Sequence, residues 1–479
     1  MLFNSFAFAV FFPAVTILYF LLPSRARWGL LLAASCFFYC FFIPIYILIL
    51  VFTIIVDYAA GILIEGHRGV ARRLWLVASL VANLGTLAFF KYWNFSAINF
   101  NDLASFLHWG LRIPILAIIL PIGLSFHTFQ AMSYTIEVYR GNQKAERNFG
   151  IYALYVMFYP QLVAGPIERP QNLLHQFREY HSFDYDRVTA GLKRMAWGLY
   201  KKVVVADNIA PTVDLVYSAP SASSGPQVVA ATILYAFQIY CDFSGYSDIA
   251  IGAAQVMGIN LMTNFRQPYL SASISEFWRR WHISLSTWFR DYLYIPMGGN
   301  RVPGWRRAFN LLTVFLLCGL WHGANWNFLA WGFLHGVYLV VGMWTAAPRE
   351  RLAGLVGLTR MPRFHRFIKQ ATTFALVCYA WIFFRAANIS TALTLTGRMF
   401  SGWRAFHLSL LGLSSKSLAV LAASLAAVLV FDGLQQTCDV WERLGSLPRA
   451  WRWAIYYSVM FAIVLLGRFG SRQFIYFQF

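Results

Sequence analysis

Residues 318–338 read CGLWHGANWNFLAWGFLHGVY and describe two apolar helices joined by a short turn. Two pairs of glycines are spaced four residues apart: Gly319 with Gly323, and Gly332 with Gly336. Such pairs let a neighbouring helix approach the backbone closely. His322 lies near the turn. Burying an imidazole among hydrocarbon groups costs free energy, so a buried histidine within a membrane is expected to have a function. The hypothesis is a functional histidine, and the alternative is tight packing with a histidine bonded to a carbonyl. His335 is interpreted as a packing residue.

The composition indicates a membrane protein that crosses the bilayer several times. Of 479 residues, 59% are apolar, 18% are aromatic and only 12% are charged, whereas soluble proteins carry about 25% charge. The net charge of +20 would suggest nucleic acid as a partner in a soluble protein. Here the basic residues cluster between apolar runs, which favours basic cytoplasmic loops and membrane lipids as the partner, and no nucleic acid.

About 11–12 apolar runs are long enough, or nearly long enough, to form transmembrane or re-entrant helices. We therefore predict an all-α polytopic membrane protein with one domain over residues 1–479. The runs lie at about 5–22, 29–43, 45–64, 74–91, 114–137, 188–206, 228–250, 308–321, 325–345, 369–386, 417–432 and 453–468. The arginine-rich segments 266–307 and 346–369 are predicted to be cytoplasmic.

Two intervals do not fit simple spans. Residues 159–170, YPQLVAGPIERP, contain three prolines and predict broken backbone, which is tolerated at membrane depth only when it is buried or lines a cavity. Residues 271–295 predict an amphipathic helix at the cytoplasmic interface, with Ser273 and Glu276 in capping-box spacing. His282 falls at the edge of its aromatic face, which includes Trp281. Two interpretations of His282 remain: it is a functional histidine, or it is an interfacial residue of a helix that anchors the protein at the membrane surface.

The segment YCDFSGYSD, residues 240–248, is too polar for a lipid-facing helix. Asp242, Tyr246 and Asp248 form either the wall of a pocket or a structural network that joins helices. The sequence has no phosphate-binding glycine loop, no metal-ligand spacing and no nucleophile elbow. Two histidines near an aromatic cavity fit general-base catalysis, in which an imidazole takes the proton of a hydroxyl that attacks an activated ester.

Three segments carry a resemblance to a known family. They are DFSGYSDIAIG at 242–252, NFRQPYLSASISEFWRRWHISLSTWFRDYLYIPMGGNR at 264–301, and GLWHGANWNFLAWGFLHG at 319–336. The chain resembles the membrane-bound O-acyltransferase family, and within it the bacterial branch that modifies alginate and teichoic acid. The characteristic motifs lie at 240–340, and the apolar spans of 368–479 are less characteristic.

The resemblance implies a ring of helices around a central tunnel, with His322 as the catalytic residue and His282 as a second required histidine. Seven residues are expected to line the tunnel or bind substrate: Trp321, Asn325, Asp242, Tyr246, Asp248, Trp281 and Arg290. No bound cofactor or metal is expected. The expected acyl donor is acetyl-CoA, or else a carrier-protein thioester.

By the same resemblance, the acyl group would cross the bacterial inner membrane to a periplasmic acetyltransferase partner of the SGNH type and then to a polysaccharide. Two other functions remain open from the residues alone. A polysaccharide or lipid-linked sugar transporter or flippase would show matched broken helices in two halves. A structural role in a secretion complex would leave both histidines replaceable.

Overall fold

The computed structural model describes residues 1–403, 412–470 and 473–475, and within these ranges the chain is helical with no strand. Six helices are long and apolar enough to cross a membrane: Pro44–Gly66, Gly69–Phe106, Gly225–Val256, Trp326–Trp344, Pro362–Arg385 and Ser415–Gln435. A shorter apolar helix covers Phe6–Leu21. The prediction of an all-α, multi-pass membrane protein is confirmed. The last residues of the C-terminal segment 368–479, like 404–411 within it, fall outside the described ranges.

Twenty-one α-helices are described, numbered in chain order. Their bounds are α1 Phe6–Leu21, α2 Ser24–Cys40, α3 Ile47–Gly66, α4 Gly69–Leu87, α5 Trp93–Phe106, α6 Leu124–Arg140, α7 Phe149–Met157, α8 Pro170–Leu173, α9 Tyr185–Leu199, α10 Asp207–Ser218, α11 Gly225–Val256, α12 Ile274–Arg280, α13 Ile283–Phe289, α14 Gly304–His322, α15 Trp326–Trp344, α16 Ala346–Leu355, α17 Pro362–Arg385, α18 Ile389–Arg398, α19 Ser415–Gln435, α20 Val440–Ser446 and α21 Arg449–Leu466. Three π-helical segments follow α4, α9 and α13: Ala88–Tyr92, Tyr200–Ala206 and Arg290–Tyr294.

The chain divides into two compact units. The first comprises Met1–Ala196 and Tyr246–Met262, and the second comprises Trp197–Gly245 and Thr263–Ile475. In the first unit, a buried carboxylate joins α3 to α4: Asp57 accepts hydrogen bonds from Ser79 Oγ at 2.6 Å and from Asn83 Nδ2 at 2.8 Å. The backbone between Met157 and Pro170 is not helical, as the prolines predict.

The helices α14 and α15 form a closely packed hairpin within the second unit. A Cβ added to Gly332 would lie 2.2 Å from the Phe315 carbonyl oxygen and 3.3 Å from Gly319 Cα. The two helices therefore touch backbone to backbone at Gly319 and Gly332, and this close approach requires glycine. The predicted hairpin is confirmed, although its glycines pair across the two helices.

The segment 271–295 differs from the single interfacial helix that its periodicity predicts. It forms α12 and α13, because Trp281 is extended and His282 has a φ of +43°, in the left-handed region. Residues 264–266 of the same chain hold this break in place through two backbone hydrogen bonds. Arg266 N donates to Arg280 O, and Ile283 N donates to Asn264 O, both at 2.9 Å.

The tryptophans of residues 278–288 are also buried, whereas a surface-anchoring helix would expose them at the membrane interface. Trp281 is only 1% exposed, and Trp278 and Trp288 are buried too, so they pack inside the protein. The capping prediction is confirmed, since Ser273 Oγ accepts from Glu276 N at 3.1 Å. The Glu276 carboxylate accepts from Ala272 N at 2.8 Å.

Candidate functional site

His322 is the last residue of α14 and is only 4% exposed. Three aromatic rings surround its imidazole. The ring centroids lie 4.9 Å from Trp321, 5.0 Å from Trp331 and 5.2 Å from Phe384, and each ring is close to perpendicular to the imidazole. We call these three rings the aromatic cage of His322, and they restrict the rotation of its side chain.

The turn after His322 is held in place by glycine and asparagine. A Cβ on Gly323 would lie 2.2 Å from the Phe328 ring, so a larger residue here would require that ring to move. Asn327 Nδ2 donates to Ala386 O at 2.7 Å and to Phe383 O at 3.2 Å. Phe383 lies in the last turn of α17, where carbonyls lack a partner within the helix, and Ala386 directly follows that helix. The bonds hold the end of α17 against the turn.

Asn325, predicted as a substrate-binding residue, lies at the same turn. Its Nδ2 donates to Ala387 O at 3.2 Å, so it contacts the chain just beyond α17. Phe384, in the last turn of α17, contacts His322. The sequence shows no link between residues 325–327 and 384–387, so the contribution of α17 to the site could not be read from it.

His282 occupies the break between α12 and α13 and is fully buried. Its Nδ1 lies 3.2 Å from Asn264 Oδ1, which as an amide oxygen only accepts hydrogen bonds. Nδ1 therefore carries the proton and Nε2 carries the lone pair. Burial lowers the pKa of His282 to about 3, so the imidazole is neutral at physiological pH. A neutral imidazole with a defined tautomer can accept a proton at Nε2.

The two predicted histidines meet at one indole. Trp321 contacts His322 at 4.9 Å and His282 at 6.1 Å between ring centroids, both close to edge on. Phe243 of α11 closes the other side of His282 at 4.7 Å. The structure thus brings His282, His322 and Trp321 together within the second unit. The predicted Trp281 borders this cluster through Phe265, which lies 5.0 Å from it and contacts His282.

His335, interpreted from the sequence as a packing residue, adjoins the same cluster. Trp331 contacts His335 as closely as it contacts His322, with both centroid distances at 5.0 Å. His335 Nδ1 accepts a hydrogen bond from Trp278 Nε1 at 3.2 Å. The spacing of four residues between Trp331 and His335 was a signal that they share a helix face. No sequence pattern indicated that Trp331 also faces His322.

The polar residues of 240–248 are divided between the two compact units. Asp242 belongs to the second unit, where it makes an ion pair with Lys202 and accepts from Ile475 N at 2.8 Å. Lys202 also pairs with Asp207 at 3.0 Å. This cluster of buried charges fits the structural alternative that the sequence left open for Asp242.

Tyr246 and Asp248 belong to the first unit. Tyr246 stacks on Phe3 with centroids 4.5 Å apart, and Asp248 makes a 3.0 Å ion pair with Arg194. Neither contact involves a histidine.

Arg290, the remaining predicted binding residue, is exposed at the start of a π-helical segment. Its Nε donates to Asp291 at 2.7 Å, so its charge is partly compensated on the surface. Arg290 is therefore exposed and lies outside the aromatic cage.

Comparison with known proteins identifies the family. The model of the membrane-bound O-acyltransferase family matches residues 142–392, slightly more than half of the chain. The probable alginate O-acetylase of Pseudomonas aeruginosa is 39% identical over 438 residues, which cover 90% of this chain and 81% of the relative. The peptidoglycan O-acetyltransferase of Helicobacter pylori is 37% identical over 450 residues, which cover 85% and 82%.

A more distant match extends over less of the chain. The teichoic acid D-alanyltransferase of Streptococcus thermophilus is 30% identical over 233 residues, which cover 46% of this chain and 56% of the relative. The family match includes both α12–α13 and the α14–α15 hairpin, which carry His282 and His322. This chain belongs to the membrane-bound O-acyltransferase family and is a multi-pass membrane acyltransferase.

Proposed function

We propose that this enzyme moves an acetyl group from a cytoplasmic thioester toward a secreted polysaccharide, with His322 as the general base. The observation that carries the proposal is the aromatic cage around His322, which shares Trp321 with the neutral His282. The relatives named as alginate and peptidoglycan O-acetyltransferases support a polysaccharide as the final acceptor. The location proposed is the bacterial inner membrane.

The proposed chemistry needs one proton acceptor and an activated acyl group. The imidazole of His322 takes the proton of an acceptor hydroxyl while the oxygen attacks the thioester carbonyl. The tetrahedral intermediate then expels the thiolate, which receives the proton from the imidazolium. The rings around His322 exclude water, which would otherwise compete for the acyl group. His282, held in one tautomer by Asn264, is proposed to bind or orient one reactant.

The donor proposed is acetyl-CoA, with a carrier-protein thioester as the other candidate. The hydroxyl that accepts the acetyl group at His322 is proposed to belong to a separate periplasmic acetyltransferase of the SGNH type, which completes transfer to the polymer. Inverted membrane vesicles present their cytoplasmic face to the medium. Radiolabelled acetyl-CoA added to them should label the acceptor only when the enzyme is present, and labelling from an acetylated carrier protein alone would favour the other donor.

The test of function compares surface glycans in a deletion strain complemented with variants. Mass analysis should show that deletion removes acetyl groups from one polymer and that the parent gene restores them. His322→Gln should reduce acetylation by at least about 100-fold, because loss of a general base costs 10²–10⁴ in rate. The exposed His67 provides a matched control, and His67→Gln should retain acetylation. Full acetylation with His322→Gln at normal membrane abundance would contradict the proposal.

A further inference from the structure

The connection between α15 and α17 carries a concentrated positive charge. Residues 345–370 contain six lysines and arginines and one acidic residue, Glu350. Glu350 pairs with Lys369 at 3.3 Å. Four of the arginines form what we call the basic cluster: Arg351, Arg360, Arg363 and Arg366.

The four arginines of the basic cluster have no acidic partner within the described part of the chain. Among the residues that the structure describes, no carboxylate lies within ion-pair distance of any of its four guanidinium groups. All four side chains are exposed. Because these four like charges lie within residues 351–366 and repel one another, a partner that carries negative charge would stabilise the segment.

The same connection also exposes large apolar side chains. Leu355 is 84% exposed, Phe367 is 63% exposed, and Leu352 is 60% exposed. In α17, Phe364 and Phe367 are three residues apart and so share a face. Exposed apolar groups beside unpaired arginines are typical of a segment that lies in the headgroup region of a membrane.

The position of the connection fits that interpretation. α15 and α17 both have the length and composition of a membrane-crossing helix. The 17 residues between Trp344 and Pro362 join the ends of these two helices, so the connection lies at one boundary of the bilayer. Guanidinium groups form paired hydrogen bonds with phosphate oxygens.

We propose that the basic cluster is a binding site for anionic phospholipid headgroups, with Arg366 contacting the phosphate. Arg366, His365 and Lys369 line a surface cavity of about 500 Å³, which also includes Glu276 and Glu350. These two acids are paired with Arg280 at 2.6 Å and with Lys369. A soluble acidic protein or nucleotide would satisfy the arginines but would not require exposed leucine and phenylalanine around them. An anionic phospholipid provides negative charge for the arginines and acyl chains for the exposed leucine and phenylalanine side chains.

The experiment titrates purified, delipidated full-length protein in detergent with phosphatidylglycerol or phosphatidylcholine and counts bound lipids by native mass spectrometry. The parent protein should prefer phosphatidylglycerol. Each arginine near a membrane surface contributes about 1 kcal/mol, or about fivefold in affinity. Replacing the four arginines of the basic cluster by glutamine should therefore reduce the preference by at least about tenfold.

The matched control replaces four exposed arginines elsewhere by glutamine: Arg25, Arg68, Arg112 and Arg449. It changes the net charge equally and should retain the preference. Unchanged preference in the cluster variant, or equal loss in both variants, would overturn the proposal. Displacement of phosphatidylglycerol by micromolar coenzyme A would also overturn it, in favour of a soluble phosphate ligand. If the fourfold variant does not fold, Arg366→Gln alone should lower the preference about fivefold.

Discussion

The imidazole of His322 meets the indole of Trp331 nearly edge to face, with ring centroids 5.0 Å apart and an interplanar angle of 87°. Trp331 is fully buried, and its ring also stacks on Trp381 at 5.9 Å. His335 contacts the same indole from another side. The orientation of the proposed base therefore depends on a tryptophan that is itself fixed by other rings.

Replacing the indole of Trp331 by a smaller ring should lower the rate of acetyl transfer more than it lowers the stability of the protein. Trp331→Phe keeps an aromatic ring but leaves space beside His322, so we expect a loss of about 10- to 100-fold in acetyl transfer, since small displacements of a catalytic group have effects of this size. The rate of transfer in membranes, divided by enzyme abundance, measures it. Trp305→Phe is the control, because Trp305 is 71% exposed, and it should have no effect. Equal activity of the two variants would show that Trp331 does not position His322.

The sequence predicts helices that follow one another but not the contacts between distant ones. The hairpin at His322 and the broken backbone at 158–169 follow from local glycine, proline and apolar patterns. The contact of Asn264 with His282 joins residues 18 apart, on either side of α12. A helical wheel assumes continuous helix, so it could not show the break at His282 or the burial of Trp281.

The polar segment 240–248 provides a direct comparison of a buried with a more exposed carboxylate. The side chains of Lys202 and Asp242 are 2% and 4% exposed, whereas those of Arg194 and Asp248 are 25% and 19% exposed. Asp242→Asn removes one of two carboxylates from a buried lysine, and we expect it to lower the free energy of unfolding by about 3–5 kcal/mol. Asp248→Asn should lower the free energy of unfolding by about 1 kcal/mol or less.

Thermal unfolding of the detergent-solubilised protein, followed by tryptophan fluorescence, distinguishes these two variants. The expected order is parent, Asp248→Asn and then Asp242→Asn, from the highest midpoint to the lowest. If Asp242 instead served only the chemistry, its variant would unfold with the parent and lose activity alone.

Two glycines of α15 offer a test of the close helix contact. A Cβ at Gly332 would lie 2.2 Å from a backbone oxygen of α14, whereas a Cβ at Gly342 would have no atom within 4 Å. Gly332→Ala must separate the two helices and should destabilise the protein by about 1–3 kcal/mol. Gly342→Ala should be neutral or stabilising by up to about 1 kcal/mol, because alanine favours helix. Thermal unfolding midpoints check both, and a Gly332→Ala variant as stable as Gly342→Ala would contradict the backbone contact.

The neutral state of His282 should make stability depend on pH. Burial holds the pKa of His282 at about 3, below the value of about 6.5 for an imidazole in the unfolded chain. As the pH falls below about 6.5, the unfolded chain takes up a proton that the folded protein does not. The contribution is fully present above about 6.5 and is lost at up to about 1.4 kcal/mol per pH unit as the pH falls toward 3.

His282→Asn removes this proton uptake while retaining a residue that tolerates the left-handed backbone. Unfolding midpoints of the parent should therefore fall more steeply than those of the variant between about pH 6.5 and 4, and the two slopes should agree above pH 7. Parallel curves throughout would mean that His282 titrates alike in the folded and unfolded states, which its burial argues against. Because His282 stays neutral from pH 5 to 8, any ionisation seen in the pH profile of acyl transfer over that range must belong to another group.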